Sequence, residues 1–425
     1  MRRVLDWGRR MRADLAASTD ASLLSVLRFL GLLYGPIDHR LPINEAFRKA
    51  LRYRLPAHVT WRHALGGIVY LLFMVLVVTG VLLAVYYRPS TQEAYPSIQR
   101  IVTGVRFGWL IRDLHVWAAS MIVIAALAHM ARVFVEGVYK PPRETNWLVG
   151  VTLLFLLLAF GATGYLLPWD QWAYWTVTEL LHAVAVAPLV GPLLSRALTG
   201  DVIVSGATLS RHFALHVIVL PWLTFWLLAL HFALLRKHGI APPIAPPASG
   251  RPGVPFFPHH LLRSFVVAVL VLAVVISAAA LFPRPVGDPA NPYELPESLV
   301  STWVPVEVSL GLVRYLTPWG FLAFALIGAG LALLPLFDRD PARALRLRPR
   351  AVALGLVFLL GFVGAWIAGR AVRTPSPDLR PAAEVLERET LPGSEPGLRL
   401  PDVGPTPERP AVPGPDAAGR PRGGL

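Results

Sequence analysis

Between Ala64 and Tyr87 the chain runs for 24 residues without a charged side chain. A helix needs about 18–20 apolar residues to cross the hydrocarbon of a bilayer. No water reaches backbone polar groups there, and a helix satisfies them within one segment. Six further apolar segments follow, at 114–136, 147–167, 213–235, 264–282, 318–337 and 351–369. They predict an all-α, polytopic membrane helical bundle with seven spanning helices. Only 16% of the residues are charged, against about 25% in typical soluble domains, which argues against a water-facing globule. Cysteine is absent. That excludes disulfides, cysteine-held iron–sulfur clusters and thioether-attached heme within this chain.

The second and fourth spans each carry two histidines, His115 and His129 in one and His216 and His231 in the other, fourteen and fifteen residues apart. Imidazole is costly in hydrocarbon, so a spanning histidine points to function by default. At about 1.5 Å per residue each pair is separated by roughly 21–23 Å along its helix. At about 100° per residue the two rings return to within roughly 40–60° of one face. Two such helices side by side make two bis-histidine sites stacked across the membrane, the geometry of a diheme protein. A lone histidine would read as a helix–helix hydrogen bond; two pairs at near-equal spacing favour ligation.

Glycines repeat the interval. Gly66 and Gly80 in the first span, and Gly150 and Gly164 in the third, are again fourteen apart. A missing Cβ lets a flat macrocycle approach closely, and small-residue helix packing is the plainer alternative. Cations suited to anionic heme propionates stand near the histidines: Arg112, Arg132 and Arg211, with Arg236 and Lys237 after His231. Snorkelling at helix ends explains any single one of them equally well. The third span ends in GATGYLLPWDQWAYW (161–175), which reads either as a pocket wall or as an aromatic belt.

The formal charge of +14 sits in particular connections rather than in a nucleic-acid patch. The N-terminal region and the connections after the second, fourth and sixth spans are basic, whereas 168–210 holds only Arg196. The positive-inside rule then places the N-terminus in the cytoplasm and the C-terminal tail outside, in an inner, cytoplasmic-type membrane. Residues 1–60 form a basic segment with an interfacial helix at 21–34 and no evident cleavable signal peptide. Residues 61–240 form the four-helix diheme half, 241–260 a proline-rich linker, 261–370 a three-helix half and 371–425 a disordered tail. His182 to Leu198, broken by Pro188 and Pro192, reads as short surface helices.

The segments FGWLIRDLH (107–115), ASMIVIAALAHMARV (119–133), KPPRETNW (140–147), TLSRHFALH (208–216) and LHFALLRKHGI (230–240) resemble cytochrome b of quinol–cytochrome c/plastocyanin oxidoreductases. The fifteen-residue histidine spacing and the RKHGI ending are similar to the split photosynthetic type. FPHH (257–260) and DPANP (288–292) resemble its separate three-helix subunit, here fused. The resemblance implies two non-covalent heme b groups, the outer low-potential one on His115 and His216 and the inner high-potential one on His129 and His231. It further implies quinol as substrate, an inner quinone site, a Rieske iron–sulfur partner, a c-type cytochrome and a homodimeric complex. Two departures stand out. Ala64 occupies the place of the cysteine that holds an extra heme in the photosynthetic type. Thr302, beside Trp303, stands where the Pro-Glu-Trp-Tyr glutamate is expected, with Glu307 and Glu179 as substitute bases. That loss leaves open a quinone-linked electron conduit without bifurcation, and beyond it a heme-free membrane scaffold.

Overall fold

Charge-free runs become helices wherever the computed structural model describes the chain, over residues 54–244, 253–297 and 319–371. The interfacial segment 21–34, the tail beyond residue 371, and Thr302, Trp303 and Glu307 lie outside the described residues. The chain divides into two compact units, residues 1–60 with 246–267 and residues 61–245 with 268–425. In the first, β1 (Arg54–Leu55) pairs antiparallel with β2 (Val254–Pro255), Arg54 opposite Pro255 and Leu55 opposite Val254.

The second unit is helical. In chain order come α1 (Leu65–Tyr86), α2 (Ala94–Gly104), α3 (Gly108–Val135), α4 (Glu144–Tyr165), α5 (Gln171–Ala185), α6 (Gly191–Thr199) and α7 (Gly206–Ala214). A π turn, Leu215–Val219, joins α7 to α8 (Leu220–His238) in one continuous rod. Then follow α9 (Leu261–Leu281), α10 (Gly320–Ala332), α11 (Leu334–Phe337) and α12 (Pro349–Ala371). The first four spans pack as neighbours, α3 along α1 and α8 along α4, with α3 also touching α4. Leu72, Ala118, Ile122 and Val123 of these spans form one buried cluster with Val275 of the helix that follows them. As expected, 182–198 holds no span: α5 ends at Ala185, and α6 begins beyond Pro188 with Pro192 in its first turn.

Six helices among the described residues are long and apolar enough to cross a bilayer: Trp61–Tyr86, Gly108–Val135, Glu144–Tyr165, Gly206–His238, Pro258–Leu281 and Pro349–Ala368. The expected span at 318–337 differs. It comprises the 13-residue α10 and the four-residue α11, broken at Leu333. Pro335 is the physical reason, because it has no N–H to give the carbonyl four residues back, that of Leu331. The indole N–H of Trp147 donates to that carbonyl instead, at 2.8 Å. Both residues are buried in one cluster with Tyr139 and Leu334. Trp147→Phe keeps most of the bulk and strands the carbonyl. We expect a loss of about 1–3 kcal/mol, measured as a lowered thermal midpoint of the purified protein in detergent.

Polar side chains tie the connection after α3 to the loop before α12. Lys140 Nζ donates to Asp338 Oδ1 at 2.8 Å, and Tyr139 donates to Asp338 Oδ2. Arg348, 2% exposed, donates to the Tyr139 hydroxyl at 2.8 Å and to the carbonyls of Phe134 and Val135 at 3.1 and 3.0 Å. Arg343 reaches the Glu136 carbonyl with Nε at 3.1 Å and Nη2 at 2.8 Å. Burial alone raises the Asp338 carboxyl, but the hydrogen bonds from Lys140 and Tyr139 and the charges of Lys140 and Arg348 outweigh it and hold the group low.

Candidate functional site

Each of the four histidines stands against a glycine of a neighbouring helix. A Cβ added to Gly66 would lie 3.2 Å from Cε1 of His129, and one on Gly80 would lie 3.3 Å from Cε1 of His115. For Gly150 and His231 the distance is 3.6 Å, and for Gly164 and His216 it is 2.5 Å. The shared fourteen-residue interval therefore belongs to one device in which each glycine admits one imidazole. These same glycines are the ones expected to clear a flat macrocycle, and the imidazole is what each one faces.

The ring centroids of His115 and His216 are 6.3 Å apart with planes at 64°. Metal–imidazole bonds are about 2 Å long, so two rings on opposite sides of one metal have centroids roughly 6 Å apart. The outer pair suits a bis-imidazole iron. His129 lies within electrostatic reach of His231 and of Arg132. Among the described residues no group of three or more His, Cys, Asp and Glu is assembled that could hold a bare metal ion. Two imidazoles suit a metal whose other ligands come from a macrocycle.

Two threonines decide how the outer rings are protonated. The Thr79 hydroxyl donates to the Val75 carbonyl at 2.7 Å and lies 2.9 Å from Nδ1 of His115. Its one hydrogen is spent on the helix backbone, so toward His115 it accepts, and Nδ1 carries the proton. Thr163 repeats this with the Ala159 carbonyl at 2.8 Å and Nδ1 of His216 at 3.2 Å. The Phe160 carbonyl, 3.0 Å from the same Nδ1, accepts only from an N–H. Both outer rings therefore keep the Nε2 lone pair for a metal, the arrangement in which second-shell hydrogen bonds set the ligand tautomer. Nδ1 of His129 is buried without a hydrogen bond. Sequence reasoning passed over these threonines, although the Thr-Gly pair at 79–80 recurs at 163–164.

The π turn reconciles the unequal spacings. Leu220 N–H bonds the Leu215 carbonyl, five residues back instead of four. Such a turn holds one residue more than an α turn. The fifteen residues from His216 to His231 therefore advance about as fourteen do elsewhere, and both rings face α4.

The candidate propionate cations have other partners. Arg112, 8% exposed, pairs with Asp113 at 3.1 Å and donates to the Arg284 carbonyl at 2.6 Å. Arg132 pairs with Glu136 at 2.7 Å. Arg211 is exposed, reaches the Arg196 carbonyl at 3.5 Å and lies across Gly200, where a Cβ would overlap its guanidinium.

Just beyond α4, Asp170 caps α5, accepting from Ala173 N–H at 2.8 Å and from Gly287 N–H at 3.3 Å. Burial pushes its carboxyl up, against those two donors and the charge of Arg112. The DPANP loop is stitched to the same corner. Gln171 N–H donates to the Asp288 carbonyl at 2.8 Å, and Trp175 Nε1 donates to the Asn291 carbonyl at 3.2 Å. Trp169, Tyr174 and Trp175 are core, and Trp172 is the exposed aromatic of this segment. Glu179 is 1% exposed and so does not face water.

The family description Cytochrome b/b6/petB matches residues 51–239. The chain is 41% identical to cytochrome b6 of Synechococcus sp. (strain JA-3-3Ab) over 212 residues, 50% of this chain and 99% of that one. It is also 41% identical to cytochrome b6 of Gracilaria tenuistipitata var. liui over 215 residues, 51% of this chain and all of the other. A solved structure titled "Hyperthermophilic respiratory Complex III" superposes with a TM-score of 0.66 at 27% identity. That match covers 79% of this chain and 95% of the other, more of this chain than the b6 relatives do. The chain belongs to the cytochrome b/b6 family.

Proposed function

We propose that this membrane subunit of a quinol oxidoreductase is the diheme electron carrier of a bc-type complex, oxidising quinol near the outer face and passing electrons to an inner quinone site. His115 and His216 are the outer iron ligands, and His129 and His231 the inner ones. The observation that carries the reading is the outer pair, whose centroids stand 6.3 Å apart with each ring held against a glycine and turned by a threonine. When bound, a bis-imidazole heme supplies one-electron transfer with no open iron position. The chain's own residues do the rest. Thr79 and Thr163 hold the proton on Nδ1, the glycines admit the rings, and the apolar helices keep water out.

Residues 61–240 serve as the diheme half and 261–370 as the three-helix half of a fused protein, with 1–60, 241–260 and 371–425 as basic segment, linker and tail. The likeness to a Complex III chain supports a Rieske iron–sulfur protein, a c-type cytochrome and a second copy of the complex as partners. The basic connections support a cytoplasmic N-terminus and an outer C-terminus. Thr302 at the glutamate position favours one second reading, a diheme conduit that serves another redox module without bifurcation.

Absorption spectra test the first claim. The purified chain should carry two low-spin b hemes, and His115→Leu should carry one. A protein that binds none overturns the proposal. Quinol-driven heme reduction, run with and without an added Rieske partner, separates the two readings, because only bifurcation makes reduction depend on the partner.

A further inference from the structure

Thr79 and Thr163 spend their hydroxyl hydrogens on carbonyls four residues back in their own helices. Thr178 of α5 does the same, donating to the Tyr174 carbonyl at 2.8 Å. Thr176, two residues earlier in α5, does not. It is 0% exposed, and its Oγ1 has no hydrogen-bond partner. A buried hydroxyl that forgoes the carbonyl on its own helix is costly, and it marks a place where another polar group is received.

One turn on stands Glu179, at 1% exposed the most buried carboxylate among the described residues. Glutamate is seldom buried to this degree, because a desolvated charge is expensive. Residues three apart are neighbours on a helix surface, with Cβ atoms about 5–6 Å apart. The hydroxyl and the carboxylate are therefore spaced to reach one common atom.

The surrounding side chains fix where this pair lies. Val177 and Leu181 share a cluster with Leu166 and Leu209, and Leu180 packs into the cluster that holds Leu158 and Tyr165. Tyr165 and Leu166 directly follow Gly164, the residue that admits the His216 ring. Helix α5 thus runs beside the His216 end of α4. It also touches α10, and Trp175 Nε1 holds the Asn291 carbonyl of the DPANP loop at 3.2 Å.

A quinol that gives up its electrons must also give up its protons, and a base within reach must take them. Position 302 is threonine and supplies none. Other carboxylates near this corner are committed or exposed. Asp170 accepts from the Ala173 and Gly287 N–H groups, Asp113 pairs with Arg112 at 3.1 Å, and Asp288 and Glu294 are exposed.

We infer that Glu179 is the base that takes the protons of quinol beside the His115–His216 pair, with Thr176 hydrogen-bonded to the same quinol oxygen. The inference rests on the proposed quinol oxidation and names its acid–base group. Quinol becomes quinone by losing two protons and two electrons. One O–H bond breaks, and its proton passes to a carboxylate oxygen of Glu179. The acid so formed discharges to water and then takes the second proton in turn. The electrons leave singly, one to an iron–sulfur partner and one to the iron between His115 and His216.

The test follows duroquinol-driven heme reduction by the purified complex with its iron–sulfur partner. Glu179→Gln keeps the shape and removes the base. Its kcat falls by about 100-fold or more with KM near wild type, while heme content, dithionite-reduced spectra and both midpoint potentials are unmoved. Glu179→Asp recovers part of the rate, and Thr176→Val raises KM. Wild-type turnover in a fully loaded Glu179→Gln complex overturns the assignment and leaves the diheme reading standing. So does a loss confined to Glu307→Gln. If Glu179→Gln fails to assemble, Thr176→Val decides: an unchanged KM there overturns the assignment. A wild-type complex that duroquinol does not reduce overturns both the assignment and the quinol-oxidising reading beneath it.

Discussion

Gly164→Ala is expected to displace His216 and cost the protein its outer heme. A Cβ there would stand 2.5 Å from Cε1, 2.9 Å from Nδ1 and 3.2 Å from Nε2 of the ring. Something must move, and the ring is held by Thr163 and the Phe160 carbonyl. Shifting it breaks those bonds, frees the tautomer and turns Nε2 away from the iron. The same change at Gly150 meets His231 at 3.6 Å, which is ordinary van der Waals contact. Heme assayed per polypeptide should therefore fall by about half in Gly164→Ala and stay near wild type in Gly150→Ala, in line with paired ligands on two irons. Equal occupancy in the two variants would show that the glycines do not govern ring placement.

Asp338→Asn should be the most destabilising single change in the loop before α12. Its side chain is 10% exposed and faces Lys140 at 4% and Arg348 at 0%. Removing one member of a buried ionic group leaves the others uncompensated, at a cost of about 3–5 kcal/mol. Lys140 would keep only the Asp340 carbonyl, and Arg348 only the Tyr139 hydroxyl and two carbonyls. The pH dependence has a definite sign. The folded carboxyl titrates below its unfolded value of about 3.9, so its contribution is complete above that pH. It is lost as the pH falls through the lower folded value. Thermal midpoints in detergent should hold from neutrality down to about pH 4 and drop below it. In Asp338→Asn the midpoint should be lower throughout and this acid step missing.

Much of this architecture is legible in the residues. Six spans overlap the uncharged runs that place them, their ends differing by up to seven positions, because a bilayer enforces length and apolarity with little help from tertiary contacts. The histidine and glycine intervals are equally readable, since helix periodicity converts spacing directly into a face. What escapes is whatever depends on a partner from elsewhere in the chain. The fate of the 318–337 segment turned on whether another residue would satisfy the carbonyl freed by Pro335, and Trp147 does so from 184 residues away. Arg112 reads as a free cation until the Arg284 carbonyl closes on it. The π turn left a trace in the unequal spacings, fifteen against fourteen, but a difference of one residue does not say where the slack is taken up.

The threonines that cap only the outer imidazoles have an electrical consequence. A ring whose Nδ1–H is hydrogen-bonded is a more basic ligand, and a more basic ligand steadies the ferric state and makes its iron harder to reduce. Thr79 and Thr163 do this for one pair, while Nδ1 of His129 in the other lacks such a bond. Irons held by the two pairs, as proposed above, would then differ in potential, the one between His115 and His216 being the harder to reduce.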